Sequence, residues 1–134
     1  MTIEDVDRFE KIVGQLQGVY DELTILSKKA PNDALSKFKV KYVNKLLVEG
    51  HELLGEHYQP FNDFSAFDAD DVPQNSDVVF MLTQYLQCFE KLRADNVIKA
   101  RGNWYWNVEA PDHPQANDQG RIHIQTVIPN RLRS

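Results

Sequence analysis

Four side chains near the end of the chain, Asp112, His113, Asp118 and His123, are of the types that proteins use in acid–base chemistry. A histidine and an aspartate can move a proton to or from a substrate when the fold brings them within hydrogen-bond reach. His123 stands between two isoleucines, and strand residues point alternately to opposite faces. If the isoleucines face the core, His123 faces solvent or a partner. Nothing in the spacing fixes its distance from His113, so the sequence does not predict that an acid–base site assembles.

Two further tracts match metal-binding motifs only in part. The tract His51-Glu52-Leu53-Leu54-Gly55 has the first histidine and the glutamate of a zinc-protease helix, but Gly55 stands where that motif needs its second histidine. The tract Asp68-Ala69-Asp70-Asp71 begins like a calcium loop, which requires glycine at its sixth place and glutamate at its twelfth. Pro73 and Val79 occupy those places. The sequence therefore predicts no metal site and no cofactor.

Both tryptophans of the chain lie in the tract Asn103-Trp104-Tyr105-Trp106-Asn107. In a strand the two indole rings would share one face, with Tyr105 on the other. Such rings either seal a core or form a contact surface, and we favour sealing for one or both of them. With Arg101 and Arg121 nearby, stacking of a nucleotide base on these rings is the alternative.

The chain contains one cysteine, Cys88, and can form no internal disulfide. Cys88 precedes a core-facing residue of a predicted helix, which is typical of a buried or half-buried thiol rather than a nucleophile. A single cysteine suits a reducing compartment. We find no basic segment followed by an apolar run at the N-terminus, and no apolar stretch of about 20 residues. The sequence therefore predicts a cytoplasmic protein without a membrane span.

Three long stretches carry apolar residues at alternating spacings of three and four, which predicts helices at 3–29, 34–57 and 76–98. Thr2 is the expected N-cap of the first helix. The expected core face of the second helix consists of Leu35, Phe38, Tyr42, Leu46 and Leu53, with Val43, Leu47 and Leu54 beside them. Because the connection between the first two helices is short, we expect them to be antiparallel neighbours.

The segment 58–74 is predicted to be an ordered loop. Its aromatic residues, Tyr58, Phe61, Phe64 and Phe67, are expected to pack against the helices. After Gly102 the apolar period changes from about 3.6 to 2, which predicts an antiparallel hairpin over 103–128. The predicted fold is a single, mainly α domain, in which an antiparallel three-helix bundle carries an aromatic loop and a C-terminal antiparallel β-hairpin.

Composition narrows the classes of partner. The 134 residues are 42% hydrophobic and 26% charged, and the formal charge of −5 disfavours binding to a long nucleic acid. Gly14 and Gly18 lie on the first helix, where they would suit a close crossing in a homodimer.

Because no catalytic motif is complete, we expect a small acidic protein-interaction module that acts as an accessory or inhibitory subunit and binds a protein partner or itself. The residues expected to bind are Trp104, Trp106, Arg121 and His123, since Trp, Tyr and Arg are enriched among interface anchors. The alternative is a domain, enzymatic or not, that binds a small molecule or a nucleotide at a site between the hairpin and the bundle. Asp112, His113 and His123 would then supply its acid–base groups.

Overall fold

The computed structural model describes residues 1–129 and contains three helices followed by three strands. In chain order these are α1 (Ile3–Lys29), α2 (Lys37–Tyr58), a short 3₁₀ turn (Ala69–Asp71), α3 (Asn75–Asp95), β1 (Val97–Ala100), β2 (Asn103–Glu109) and β3 (Arg121–Thr126). The predicted class, mainly helical with a minor β part, is confirmed. Each helix contacts the other two, and within residues 1–129 none of the helices is long and apolar enough to cross a membrane.

Helix α1 has the bounds that the sequence predicts. The Thr2 hydroxyl accepts a hydrogen bond from the backbone N–H of Asp5 at 3.2 Å, and the Asp5 carboxylate accepts one from the backbone N–H of Thr2 at 3.0 Å. This reciprocal pair satisfies two N–H groups that a helix leaves free at its start. The core residues of α1 are Val6, Phe9, Ile12, Leu16 and Leu23.

Helix α2 begins three residues later than predicted, because the chain before it is held by the segment that precedes α3. Leu35 N–H donates to the Pro73 carbonyl at 2.9 Å, and Asn75 N–H donates to the Asp33 carbonyl at 2.9 Å. These contacts flank an isolated β-bridge between Ala34 and Gln74, so α2 begins only after this bridge, with Ser36 as its N-cap.

The core face of α2 agrees with the prediction at Val43, Leu47 and Leu54 and differs from it at Phe38 and Tyr42. Its buried residues are Val40, Val43, Leu47, Gly50 and Leu54, whereas Phe38 is 71% exposed and Tyr42 is 45% exposed. Gly50 faces α3 so closely that an added Cβ would lie 3.0 Å from Phe89 Cζ. The missing side chain therefore lets a large ring enter the core, and the turned helix leaves Phe38 and Tyr42 in solvent. The aromatic residues of the predicted loop pack largely as expected: Phe64, Phe67 and Tyr58, the last residue of α2, lie against the core, while Phe61 is exposed.

The β part is a three-stranded antiparallel sheet in the order β1-β2-β3, not a two-stranded hairpin. The predicted third helix runs too far, because Val97 and Ile98 belong to β1. Asn96 ends α3: its side-chain amide donates to the Leu92 carbonyl at 2.8 Å, and its carbonyl accepts from Asn107 N–H at 3.0 Å. A two-residue turn with positive φ at both positions, Arg101 (54°) and Gly102 (81°), then joins β1 to β2.

The sheet shares one core with the helices. Trp106 and Val108 are buried together with Phe9 and Phe89. The ring of Phe9 meets that of Trp106 edge to face at a centroid distance of 4.8 Å and that of Phe89 at 5.5 Å. The sheet is therefore fixed to α1 and α3 by aromatic packing.

Candidate interaction surface on the sheet

The residues predicted to bind lie on opposite faces of the sheet. Along β2 and β3, Trp104, Trp106 and the two isoleucines of β3 alternate with Tyr105, Asn107 and His123. The inner face packs on the helices, as Trp106 is 1% exposed and the isoleucines lie against the core. Arg121 and His123 share the outer face, so the structure brings these two together and separates them from both tryptophans.

Trp106 is part of the core in this structure. Its indole Nε1 donates a hydrogen bond to Glu10 Oε1 at 2.9 Å, and its ring contacts Phe9. Trp104 is half-buried and stands opposite Thr126 in the β2–β3 register. The aromatic tract therefore seals the junction between sheet and helices with at least one of its rings.

A polar network on the helix-facing side of the sheet was not predicted from the sequence. Glu10 of α1 accepts from Trp106 and, through the same oxygen, from the Thr126 hydroxyl at 2.8 Å. Its other oxygen accepts from Arg93 Nη2 at 3.3 Å, and Arg93 Nη1 donates to Glu90 at 3.3 Å. Because Glu10 joins α1, α3, β2 and β3, it holds the sheet against the helices.

Arg93 is the most deeply buried charge of this network, at 3% exposure. Its guanidinium also lies over the Phe9 ring, 5.2 Å from the centroid. A signal for the network exists in the sequence, since Glu10 falls one turn from Val6 and from Val13 on the apolar stripe of α1. A carboxylate in that position indicates a cationic or donor partner inside the fold.

The outer face of the sheet is polar and partly open. His123 is exposed, and its ring lies 6.4 Å from that of Tyr105. Arg121 reaches across to Glu109 of β2, with an Nη2–Oε1 distance of 3.7 Å. Beside them Asn107 Oδ1 is buried, and within residues 1–129 it has no hydrogen-bond partner. Asn107 and Arg121 line one side of a depression of about 280 Å³ that the start of β1 closes on the other.

The acid–base set of the sequence analysis does not assemble. Asp112 is exposed, and the ring of His113 accepts a hydrogen bond from Gln115 N–H of its own loop at 3.1 Å. Among residues 1–129, no hydrogen bond, ion pair or ring contact joins either of them to His123.

A larger open depression of about 760 Å³ lies away from the sheet, between α1, the end of α2 and α3. Its walls include Tyr20, His57, Tyr58, Cys88 and Lys91, and it contains none of the four residues predicted to bind. Burial raises the pKa of the Cys88 thiol, which keeps it protonated. The Tyr58 hydroxyl donates to Asp95 at 2.7 Å, and this bond, followed by burial, raises the pKa of Tyr58. Neither group is thus prepared as a nucleophile or base.

His51 is held differently from a metal ligand. Its Nε2 shares a hydrogen bond with the hydroxyl of Tyr85, a core residue. Burial lowers the pKa of His51 and raises that of Tyr85 to about 12, so both side chains are neutral near pH 7. In the part of the chain that the structure describes, no three His, Cys, Asp or Glu side chains gather as metal ligands would.

A comparison with family models, curated proteins and solved structures finds no match for this chain. The functional proposal therefore depends on the geometry of the surfaces described above.

Proposed function

We propose that this protein is a non-catalytic interaction module that binds a protein partner on the outer face of its sheet, as an accessory or inhibitory subunit. The observation that carries the proposal is a buried acceptor, Asn107 Oδ1, that lines one depression together with the donor-rich side chain of Arg121. His123 stands opposite Asn107 in the β2–β3 register and is exposed beside it. A buried polar atom without a partner costs free energy. A partner that supplies a donor to Asn107 and an acceptor to Arg121 would recover it.

The rigidity of the sheet supports the same proposal. The Glu10 network and the Trp106 ring fix β2 and β3 from behind, so the outer side chains are held in place before a partner arrives. A surface ordered in advance loses less conformational entropy on binding. Tyr105 adds an aromatic ring to this face, and Tyr and Arg are enriched in interfaces.

Within residues 1–129, the outer edge of β3 extends the proposed surface beyond Arg121, whose own N–H and carbonyl bond to Asn117. β3 is an outer strand of the sheet, and an edge strand offers unpaired backbone groups that an extended segment of a partner can join. The edge lies beside Arg121 and His123 of the same strand. A partner could therefore combine backbone pairing with contacts to these side chains.

A photo-crosslinking amino acid at Gln125, an exposed outer-face position, tests this proposal against the same label at Gln15, an exposed position of α1. We expect a partner from the source cells to be captured by the first label only. Calorimetry with that purified partner should then show that Arg121→Ala with His123→Ala raises Kd about tenfold or more. Capture by both labels alike, or an unchanged Kd, contradicts the proposal.

A second candidate function is the binding of a small molecule, for which the depression of about 760 Å³ is the supporting feature. That volume is in the range of ligand sites. A thermal-shift screen with nucleotides and metabolites tests it. Stabilisation by one compound, lost in Lys91→Ala but retained in His123→Ala, supports this depression; loss in His123→Ala instead supports a site at the sheet.

Two further expectations from the sequence belong to the same proposal: the arrangement of the helices and the cellular location of the protein. We infer that the three helices form an antiparallel bundle, because α1 and α2 are joined by a short connection. We also infer a cytoplasmic location, since the one cysteine of the chain suits a reducing compartment.

A further inference from the structure

The outer side of α2 exposes aromatic rings between lysines. The α2 patch, defined as Phe38, Lys41, Tyr42 and Lys45, covers two turns of the helix. The rings of Phe38 and Tyr42 are in contact at a centroid distance of 5.0 Å, with their planes tilted by 58°. The ammonium groups of Lys41 and Lys45 each lie 5.5 Å from the centre of the Tyr42 ring. At 71% exposure, Phe38 is among the most exposed large apolar side chains of the protein.

The charge of this region is opposite to that of the rest of the chain. Residues 34–48 contain four lysines and no acidic residue. The other residues hold 11 of the 15 Lys and Arg residues against all 20 Asp and Glu residues, a formal charge of −9. Of the four lysines, Lys39 pairs with Glu22 at 3.6 Å. Within residues 1–129, no carboxylate pairs with Lys37, Lys41 or Lys45.

An acidic segment lies beside the α2 patch. The acidic turn, defined as residues 68–71 with their three aspartates, contacts α2 and is exposed. Asn44 ties it there, because its side chain donates to the Phe67 carbonyl at 2.8 Å and accepts from Phe67 N–H at 2.9 Å. Val72, which follows the turn, is 56% exposed, and Val48, two turns beyond Lys41 on α2, is 54% exposed.

One surface therefore carries the basic, aromatic α2 patch next to the acidic turn, which is followed by the exposed apolar side chain of Val72. We infer that this surface binds a second copy of the same chain through a two-fold contact, in which each α2 patch meets the acidic turn of the other copy. A two-fold interface requires a self-complementary surface, and neighbouring patches of opposite charge provide it. Both contacts form at once, so the assembly closes as a dimer. This inference is independent of the proposed partner site on the sheet.

Charge complementarity favours a second copy over an extended polyanion. A nucleic acid or an anionic membrane laid on the α2 patch would also meet the acidic turn and Glu49, the next acidic residue along α2. Like charges brought together in this way oppose binding. In the two-fold contact, the acidic turn of each copy lies against the lysines of the other copy's α2 patch. Each aspartate and each lysine of the interface therefore faces a group of opposite charge.

Charge-reversal variants test the inference by analytical ultracentrifugation over a wide concentration range. We expect the parent to show a monomer–dimer equilibrium that weakens at high salt, since exposed ion pairs are screened. The variant Lys41→Glu/Lys45→Glu and the variant Asp70→Lys/Asp71→Lys should each dimerise at least about tenfold more weakly, because each places like charges opposite one another. An equimolar mixture of the two should recover the dimer, since both contacts then regain opposite charges.

Lys11→Glu/Lys99→Glu is the matched control, because it makes the same change in net charge at exposed positions outside the patch. It should dimerise like the parent, and circular dichroism should show that all variants are folded. Phe38→Ser should weaken the dimer at high salt as well as at low salt, since it removes apolar contact. A parent that stays monomeric, a dimer that both reversals leave intact, or a mixture that stays monomeric overturns the inference. Binding of the parent to anionic vesicles or to oligo-dT, with no dimer formed, overturns it as well.

Discussion

Replacement of Glu10 by alanine should weaken the attachment of the sheet to the helices and lower the free energy of unfolding. In the parent, one Glu10 oxygen accepts from Trp106 Nε1 at 2.9 Å and from the Thr126 hydroxyl at 2.8 Å, and the other accepts from Arg93 at 3.3 Å. The substitution leaves the indole N–H of a residue that is 1% exposed without its acceptor. A buried donor left in this way costs about 1–3 kcal/mol.

The loss at Arg93 adds to this cost. Removing one partner of a buried ion pair typically costs about 3–5 kcal/mol. Here the cost is smaller, because Arg93 keeps Glu90 and the Glu10 side chain is 43% exposed. We therefore expect Glu10→Ala to lower the free energy of unfolding by about 3 kcal/mol in all. Glu10→Gln keeps one oxygen as the acceptor for the indole, but an amide NH2 group replaces the charged oxygen that accepts from Arg93, so its cost should be about 1–2 kcal/mol.

Urea unfolding followed by tryptophan fluorescence measures these differences, with an unchanged m-value as the check that the unfolding reaction is the same. Glu22→Ala is the matched control on α1, because Glu22 makes one exposed ion pair, with Lys39 at 3.6 Å. Such pairs contribute less than about 1 kcal/mol. If Glu10→Ala and Glu22→Ala had equal effects, the view that Glu10 holds the sheet in place would be refuted.

Replacement of two glycines by alanine should change the stability in opposite directions. Gly50→Ala should destabilise the protein by about 1 kcal/mol, because its Cβ would lie 3.0 Å from Phe89 Cζ. Gly14→Ala should stabilise it by about 0.5–1 kcal/mol, because nothing lies within 4 Å of the added Cβ and alanine favours the helix. Thermal unfolding of both variants checks the pair. Acid should weaken the fold through His51, because burial lowers its pKa from 6.5. The stability that neutral His51 contributes is complete above pH 6.5 and is lost as the pH falls through the lowered pKa. The difference in free energy of unfolding between the parent and His51→Gln should narrow over that range. Alkali should weaken the fold through Tyr85, whose pKa is raised from 10.0 to about 12, so urea unfolding should show stability falling between pH 10 and 12 and a shallower fall in Tyr85→Phe.

The helices were largely predictable because their signals are local. The apolar spacing and the Thr2 cap of α1 lie within the helix itself, so its bounds of Ile3–Lys29 agree with the sequence prediction. The same spacing could not orient α2. The expected face included both Phe38 and Val43, and only Val43 is buried. Which of the two lies inside depends on how closely Gly50 lets Phe89 approach, which is a contact between two helices.

The three-stranded sheet shows a similar limit. Val97 and Ile98 fit the end of a helix as well as a strand, and β-branched residues are only weakly disfavoured in helices. The bond from Asn107 N–H to the Asn96 carbonyl decides between them, and it joins residues that a sequence pattern does not pair.

For the candidate binding residues as well, the sequence predicts local alternation, whereas tertiary packing decides which face is buried. Alternation along the sequence predicts that Tyr105 faces away from Trp104 and Trp106, and that His123 faces away from its flanking isoleucines; the structure confirms both. Which of the two faces meets the helices is a matter of packing, since either indole or phenol rings can seal a core. The Glu10 bonds to Trp106 and Thr126 span 96 and 116 residues of sequence. The sequence by itself thus determined the helical class, the first helix and the alternation of the strands, whereas tertiary contacts decided the orientation of α2, the start of the sheet and the buried network, because those depend on which distant side chains fit together.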